Sequence, residues 1–244
     1  MSNRGVSPGV SFVVPALNEE ANVAATVGEL REACSGLLEE YELILVDDGS
    51  TDRTGPIMDE IAAAGPRVMV VHNPRNLGLG GSYKVGLSRA RCEHFMLVPG
   101  DNAWPSDGLA PILRAIGQAD IVVPYVTNSE VRPLPRRLLS AAFTQILNLL
   151  FGLRLRYYNG VVVHRTQLLR QIEIRSDGFA YQAEALIKLI MSGATYVEVP
   201  CCIVERTAGN SKALGFRNFA RVAGTIYYLL REVRRTQREQ KLRK

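Results

Sequence analysis

The chain has 244 residues, 47% of them hydrophobic and 22% charged, enough apolar material for one sizeable domain with a core that needs no covalent staples. The formal net charge of +5 is accounted for by Arg231 to Lys244, with seven Lys or Arg against two Glu, so the remainder is formally neutral. That distribution speaks against a nucleic-acid enzyme, which carries its positive charge across the folded surface. Four cysteines without zinc or disulfide-framework spacing speak against a stapled secreted scaffold and for reduced thiols in a cytoplasmic protein.

The N-terminal tail, residues 1–9, is polar and lacks the apolar core of a signal peptide. Val10–Val14 then reads as a strand, broken by Pro15-Ala16-Leu17-Asn18-Glu19-Glu20, with a helix over Glu19–Cys34 capped by Asn18. Glu42–Val46 is a second strand that runs into two adjacent acids, Asp47 and Asp48, and a turn, Gly49-Ser50-Thr51-Asp52. Alternation continues through a helix Asp52–Ala64, strand Arg67–Val71, helix Gly80–Ala90, strand Glu93–Val98, helix Ser106–Ile116 and strand Asp120–Val123. Strands alternating with helices predict an α/β fold, a mostly parallel sheet with helices on both faces.

The second half changes character. A loop, Arg132-Pro-Leu-Pro-Arg136, leads into a long apolar helix, Arg137–Gly152. A strand-like Val161–His164, a short helix Gln167–Gln171 and a helix Phe179–Met191 follow. A β pair, Thr195–Val199 with Ile203–Arg206, and a helix from about Lys212 close the chain. The apolar runs Leu138–Leu153 and Phe219–Leu230 fall short of the roughly 20 residues that span a bilayer. The first of them, with the basic tail, suits peripheral contact with anionic lipid, and a buried core helix accounts for it equally.

Buried strands do not end in unpaired acids, so acids at strand ends mark either an open cleft or a self-capped turn. In open α/β sheets ligands bind beyond the carboxyl ends of the strands, which places Glu19, Asp47, Asp48 and Asp101 around one expected pocket. Asp47 and Asp48 can accept hydrogen bonds from a base or ribose. Asp101, in Pro99-Gly100-Asp101-Asn102-Ala103-Trp104, offers one carboxylate for a divalent cation that bridges phosphates. The glycines of Asn76-Leu77-Gly78-Leu79-Gly80-Gly81-Ser82 permit close approach of a ligand or tight packing at a helix start. Tyr83 stands where a dinucleotide fingerprint needs its third glycine, which disfavours an NAD-linked oxidoreductase.

Taken together, VVPALNEEANV, LILVDDGSTDRT, NLGLGGSYKVGL and MLVPGDNAWP resemble the family-2 glycosyltransferases of GT-A fold over about residues 10–214. FGLRLRYYNG and GFAYQAEAL with EVPCCIVERTAGNSKA resemble the dolichol-phosphate and polyprenyl-phosphate mannose synthase branch. The resemblance implies a nucleotide-binding half over 10–125, an acceptor half over 126–214, and a C-terminal helix with basic tail over 215–244. It implies that Pro15, Leu17, Glu19, Asp47, Asp48 and Gly80 line the nucleotide site. Asp101 then stands at the last acid of the metal motif, for Mg2+ or Mn2+. Arg136, Ser140, Arg206, Ser211 and Lys212 correspond to positions that meet phosphates or a phosphorylated acceptor.

Two departures stand out. Pro99 replaces the first acid of the metal motif and Ala103 a further polar position, so the cation site is depleted. Tyr157-Tyr158-Asn159-Gly160 replaces an acid followed by a Thr/Ser-Gly run. The expected reaction is inverting transfer of a sugar from a nucleoside-diphosphate-sugar to a lipid phosphate. A hydroxyl acceptor would need a base, for which Glu184 and then Asp177 are the candidates. A nucleotide-sugar binding protein of the same shape without turnover is the other reading of the depleted site.

Overall fold

The structure, a computed structural model, describes residues 9–205 and 224–233. In chain order it contains β1 (Val10–Ala16), α1 (Val23–Cys34), β2 (Tyr41–Asp47), α2 (Thr54–Ala63), β3 (Val68–His72), α3 (Gly78–Arg89), β4 (His94–Leu97), α4 (Ser106–Arg114) and β5 (Ile121–Val126). A single 3-10 turn, Ser129–Val131, precedes α5 (Leu134–Phe151), β6 (Val163–Arg165), α6 (Thr166–Arg170), α7 (Tyr181–Met191) and β7 (Tyr196–Cys201). A last helix, α8, covers residues 224–233.

The seven strands lie in the order β3-β2-β1-β4-β6-β5-β7. All neighbours are parallel except β6, which runs antiparallel to both β4 and β5. The central strands are apolar on both sides, as a doubly covered sheet requires. Phe12, Val14, Leu43, Leu45 and Met96 face one core under α1, α2 and α4. Val13, Ile44, Val46, Phe95 and Leu97 face the other, under α3, α5, α7 and α8. The alternation of one strand thus feeds two separate cores.

The expected hairpin of Thr195–Val199 with Ile203–Arg206 is not formed. Instead β7 pairs parallel with β5, Ile121 opposite Tyr196 through Val126 opposite Cys201. Pro200-Cys201-Cys202 lacks the Gly, Asn or Asp that the tight turns of hairpins favour, and the parallel pairing packs Val197 and Val199 on the first core. Residues 202–205 are irregular. The expected Asn18 cap is absent too: α1 begins at Val23, and Asn18 takes a left-handed φ of 56°.

The second core encloses His164, which is fully buried in β6 opposite Phe95 and Ile121. Burial alone pushes its pKa down to about 3. The folded chain therefore keeps this ring neutral while the unfolded chain protonates it below about 6.5. Stability from this group is complete above pH 6.5 and is lost as pH falls towards 3, at about 1.4 kcal/mol per pH unit. Urea denaturation at pH 7 and pH 5 should show wild type losing about 2 kcal/mol more than His164→Leu over that interval. Equal losses in the two proteins would assign the acid sensitivity elsewhere.

Candidate active site

The carboxyl ends of β1, β2 and β4 are joined by backbone hydrogen bonds. Asp48 N donates to Ala16 O (2.9 Å) and Gly100 N donates to Pro15 O (3.0 Å), while Asn73 N donates to Asp47 O (2.8 Å). Gly100 is needed there, because a Cβ at that position would stand 2.9 Å from the Ala16 Cβ. The loop after β1 is sewn to the turn after β2. Asn18 N donates to Ser50 Oγ (3.1 Å), Glu19 N to Thr54 Oγ1 (2.8 Å), Thr51 N to Asn18 Oδ1 (2.9 Å) and Arg53 N to Glu20 Oε2 (2.9 Å). Pro15 is buried and Leu17 half-buried at the mouth of this junction. The side chain of Glu19 turns back to accept from Asn22 Nδ2 (2.7 Å).

Asp47 and Asp48 are both buried, and their oxygens serve the loops around them. Asp47 accepts from Ser50 N (2.9 Å) and lies 3.1 Å from His72 Nδ1, whose Nε2 lies 3.0 Å from Asp59. Burial pushes the Asp47 carboxyl up, but the hydrogen bonds from Ser50 and His72 outweigh it and hold the group below its ordinary value. The same bonds, Asp47 first and Asp59 next, raise His72. Asp48 accepts from Asn73 Nδ2 (2.9 Å), Leu77 N (2.9 Å) and Gly78 N (3.0 Å). It fastens the segment between β3 and α3 to the end of β2. Its partner Asn73, just past the His72 end of β3, belongs to this junction and was not singled out from the sequence; two polar residues, His72 and Asn73, after an apolar run were the available signal.

Asp101 lies in the turn after β4, half-buried, with Oδ1 accepting weakly from Ala103 N (3.3 Å). Asn102 follows in a left-handed conformation, φ 54°, and its Oδ1 is a buried oxygen with no hydrogen-bond partner among the described residues. One carboxylate and one amide oxygen suit Mg2+ or Mn2+, hard cations that take few protein ligands beside a diphosphate. No group of three or more His, Cys, Asp or Glu suited to a metal exists among the described residues. Val204 N donates to Ala103 O (3.1 Å), so the chain passes beside the Asp101 turn just before Glu205. Arg206, Ser211 and Lys212, expected to grip phosphate, lie outside the described residues.

The region expected to meet the acceptor comprises the loop after β5 and the start of α5. Asn128 brackets Ile203, donating from Nδ2 to its carbonyl (2.8 Å) and accepting from its N–H (3.1 Å). Arg136 and Ser140 sit one turn apart near the start of α5, both half-buried. Arg132 Nη1 donates to the Tyr157 hydroxyl (2.6 Å), and the guanidinium lies 5.7 Å from that ring's centre. Nearby Gly160 packs against Pro124 of β5. Tyr157, which replaces an acid in the resembled pattern, therefore orients a cation.

Two expected roles are corrected. Gly80 does not present its N–H to a ligand: it donates to Asp177 O (2.8 Å). A Cβ on Gly80 would stand 2.3 Å from Ser176 O, so the glycine serves close packing at the helix start. Gly80→Ala should cost about 1–3 kcal/mol, read as a lower urea midpoint; an unchanged midpoint would show that the 176–178 loop simply gives way. Glu184, the candidate base for a hydroxyl acceptor, faces the interior and is not a solvated helix residue. It is 0% exposed, accepts from Arg175 N (3.0 Å) and Ser176 N (2.9 Å), and pairs with Lys188 Nζ at 2.9 Å. Asp177 is exposed and its carboxylate is paired with Lys84. The i to i+4 spacing of Glu184 and Lys188 was visible in the sequence, but so spaced a pair reads first as a solvated helix face.

The sequence profile described as "Glycosyl transferase family 2" matches residues 11–178. The chain is 31% identical to a polyprenol monophosphomannose synthase of Mycolicibacterium smegmatis over 216 residues, 83% of this chain and 80% of the relative. It is also 31% identical to an undecaprenyl-phosphate mannosyltransferase of Micrococcus luteus, over 84% of this chain and 88% of the relative. Among solved structures, glucosyl-3-phosphoglycerate synthase from Mycobacterium tuberculosis with Mg2+ and UDP superposes at a TM-score of 0.69, with 18% identity, over 91% of this chain and 79% of that one. A Pyrobaculum calidifontis mannosyltransferase with GDP-Man and Mn2+ superposes at 0.63, with 20% identity, over 84% and 58%. These likenesses show the fold to be GT-A.

Proposed function

Because this chain belongs to glycosyl transferase family 2 and is a glycosyltransferase, we propose that it moves a sugar from a nucleoside-diphosphate-sugar to a polyprenyl phosphate. The observation that carries the reading is the junction of three strand tips, with Asp47, Asp48 and Asp101 on it, beside an arginine-bearing acceptor loop. The oxygen of the acceptor phosphate attacks the anomeric carbon from the face opposite the diphosphate. The carbon–oxygen bond to the diphosphate breaks, the leaving group keeps the electron pair, and configuration inverts. An ionised phosphate needs no deprotonation, which agrees with Glu184 being sealed in the interior.

In this reading the junction of the 15–20 and 47–54 loops seats the base and ribose, and Asp101, with the Asn102 carbonyl beside it, would hold Mg2+ or Mn2+. Such a cation offsets charge on the departing diphosphate. Arg132, oriented by Tyr157, and Arg136 with Ser140 would bind the acceptor phosphate through charge-assisted hydrogen bonds. Arg206, Ser211 and Lys212 are assigned to the diphosphate. The test is a thermal-shift series of nucleoside diphosphates and their sugars with Mg2+ or Mn2+, followed by transfer to a polyprenyl phosphate. A selective shift with product formation supports the proposal. Binding without turnover on phosphate or hydroxyl acceptors would leave a nucleotide-sugar binding protein.

Access to a lipid acceptor explains the outer face of α5. Leu134, Leu138, Ile146 and Leu149 are exposed, Leu149 by 85%, while Thr144, Leu147 and Phe151 anchor the opposite face. No helix of the described residues is long and apolar enough to cross a membrane. We assign the exposed stripe to peripheral contact with the bilayer surface, helped by the basic tail. The partition coefficient for phosphatidylglycerol vesicles, read by sedimentation, should fall about 10²-fold or more for Leu138→Glu with Leu149→Glu, since two buried leucines are worth about 3–6 kcal/mol. Undiminished binding would move the contact to the tail.

A further inference from the structure

We propose that Glu184 and Lys188 are positioning residues through which α8 sets the donor pocket from a distance; the donor part of this claim rests on the function proposed above. The path is continuous and consists of short polar contacts. On α8, Glu232 Oε2 lies 3.0 Å from Lys188 Nζ, and the Tyr228 hydroxyl accepts from the same ammonium (3.2 Å). The Tyr228 ring also lies 4.5 Å from the Arg175 guanidinium, measured to the ring centre. Lys188, only 7% exposed, donates as well to Glu173 O (2.6 Å) and pairs with Glu184. Glu184 then takes the N–H groups of Arg175 and Ser176, one on each oxygen.

Those bonds fix residues 173–177, against which the glycine-rich start of α3 is packed. Asp177 O accepts from Gly80 N, and neither Gly78 nor Gly80 has room for a side chain beside the 176–177 backbone. The next link is Asp48, which receives the N–H groups of Leu77 and Gly78. Five successive contacts thus run from the C-terminal helix to an acid at the end of β2. Two properties make this more than packing. Glu184 and Lys188 are charged, buried and paired, an arrangement that repays its desolvation only with all partners in place. Removing the α8 partners leaves the ammonium under-satisfied and frees the loop that Glu184 holds.

Spatial continuity alone does not demonstrate coupling, so the experiment reads both ends. In the full chain, Tyr228→Phe with Glu232→Gln alters α8 only. Amide exchange should quicken about tenfold at Arg175, Ser176, Leu77 and Gly78, while amides of β1 and β2 keep their protection. The dissociation constant for the nucleoside diphosphate that wild type binds best should rise about 5- to 20-fold, with the KM for the acceptor unchanged. Glu184→Gln should give the same pattern more strongly, and Lys188→Arg should restore donor affinity where Lys188→Met does not. A purely structural role would lower the thermal midpoint and leave donor affinity and the Leu77 and Gly78 amides alone. Unchanged protection at Leu77 and Gly78 in the α8 variant overturns the proposal. Loss of protection there, in a protein that binds no nucleoside diphosphate, upholds the positioning and overturns the donor assignment instead.

Discussion

Asp101→Asn is expected to lower kcat by about 10²- to 10³-fold, the usual cost of removing one group that stabilises developing charge. Asp101 is the only acid left of the resembled metal motif, because Pro99 stands where the other would be. Its turn follows β4 directly and is pinned to the tip of β1 through Gly100 and Pro15. The amide is isosteric and keeps an oxygen for the Ala103 N–H, so the fold should survive. What disappears is a unit of negative charge that a divalent cation needs. The midpoint of Mg2+ activation should therefore rise in the same variant, while the thermal midpoint of the unliganded protein stays put. Undiminished kcat at low Mg2+ would transfer the role away from this turn.

Asp48→Ala should cost about 2–3 kcal/mol of folding stability. The carboxylate is 4% exposed and receives Asn73 Nδ2, Leu77 N and Gly78 N. Alanine leaves the part-buried Leu77 N without its acceptor and Asn73 Nδ2 with only the long bond to Ser82 Oγ (3.4 Å), while Gly78 N keeps Asn76 Oδ1 at 2.8 Å. A buried donor stripped of its partner costs about 1–3 kcal/mol, more when the lost partner was charged. Asp48→Asn keeps one carbonyl oxygen and should cost roughly half as much. Urea denaturation measures both. A loss under 1 kcal/mol for alanine would mean that the 73–78 segment finds other acceptors. If the proposed nucleotide site is correct, donor binding should fall in step, because Asp48 fastens the 77–78 backbone beside it.

The strand tips were legible because each apolar run stops at a charged or turn-forming residue, and that pattern is local. Leu43–Val46 before Asp47 and Met96–Val98 before Asp101 needed nothing beyond the sequence. The direction in which each acid faces was not legible. Asp48 turns to amides 29 and 30 residues away, and Glu184 shares Lys188 with Glu232, 48 residues further on. Such choices depend on which loops meet, and adjacent residues carry no trace of them. The long helix over Arg137–Gly152 was readable, but its sidedness was not, since leucines lie on both its buried and its exposed faces. The hairpin expected near residue 200 failed for a similar reason: two short apolar runs fit a parallel edge as well as a ladder of their own.

The reversed strand β6 has a consequence for anyone who would recombine such enzymes. It pairs with β4 through His94, Phe95 and Met96, and with β5 through Ile121 and Val122. The fifth strand of the first half is therefore zipped to the first four only by a segment encoded some forty residues later. Excising the chain after Val126 would leave a four-stranded sheet with a bare β4 edge and β5 as a strand with no partner, not a free-standing module. A chimaera that exchanges the segment carrying Val163–Arg165 must take its host strands β4 and β5 with it, or the graft will break the sheet between them.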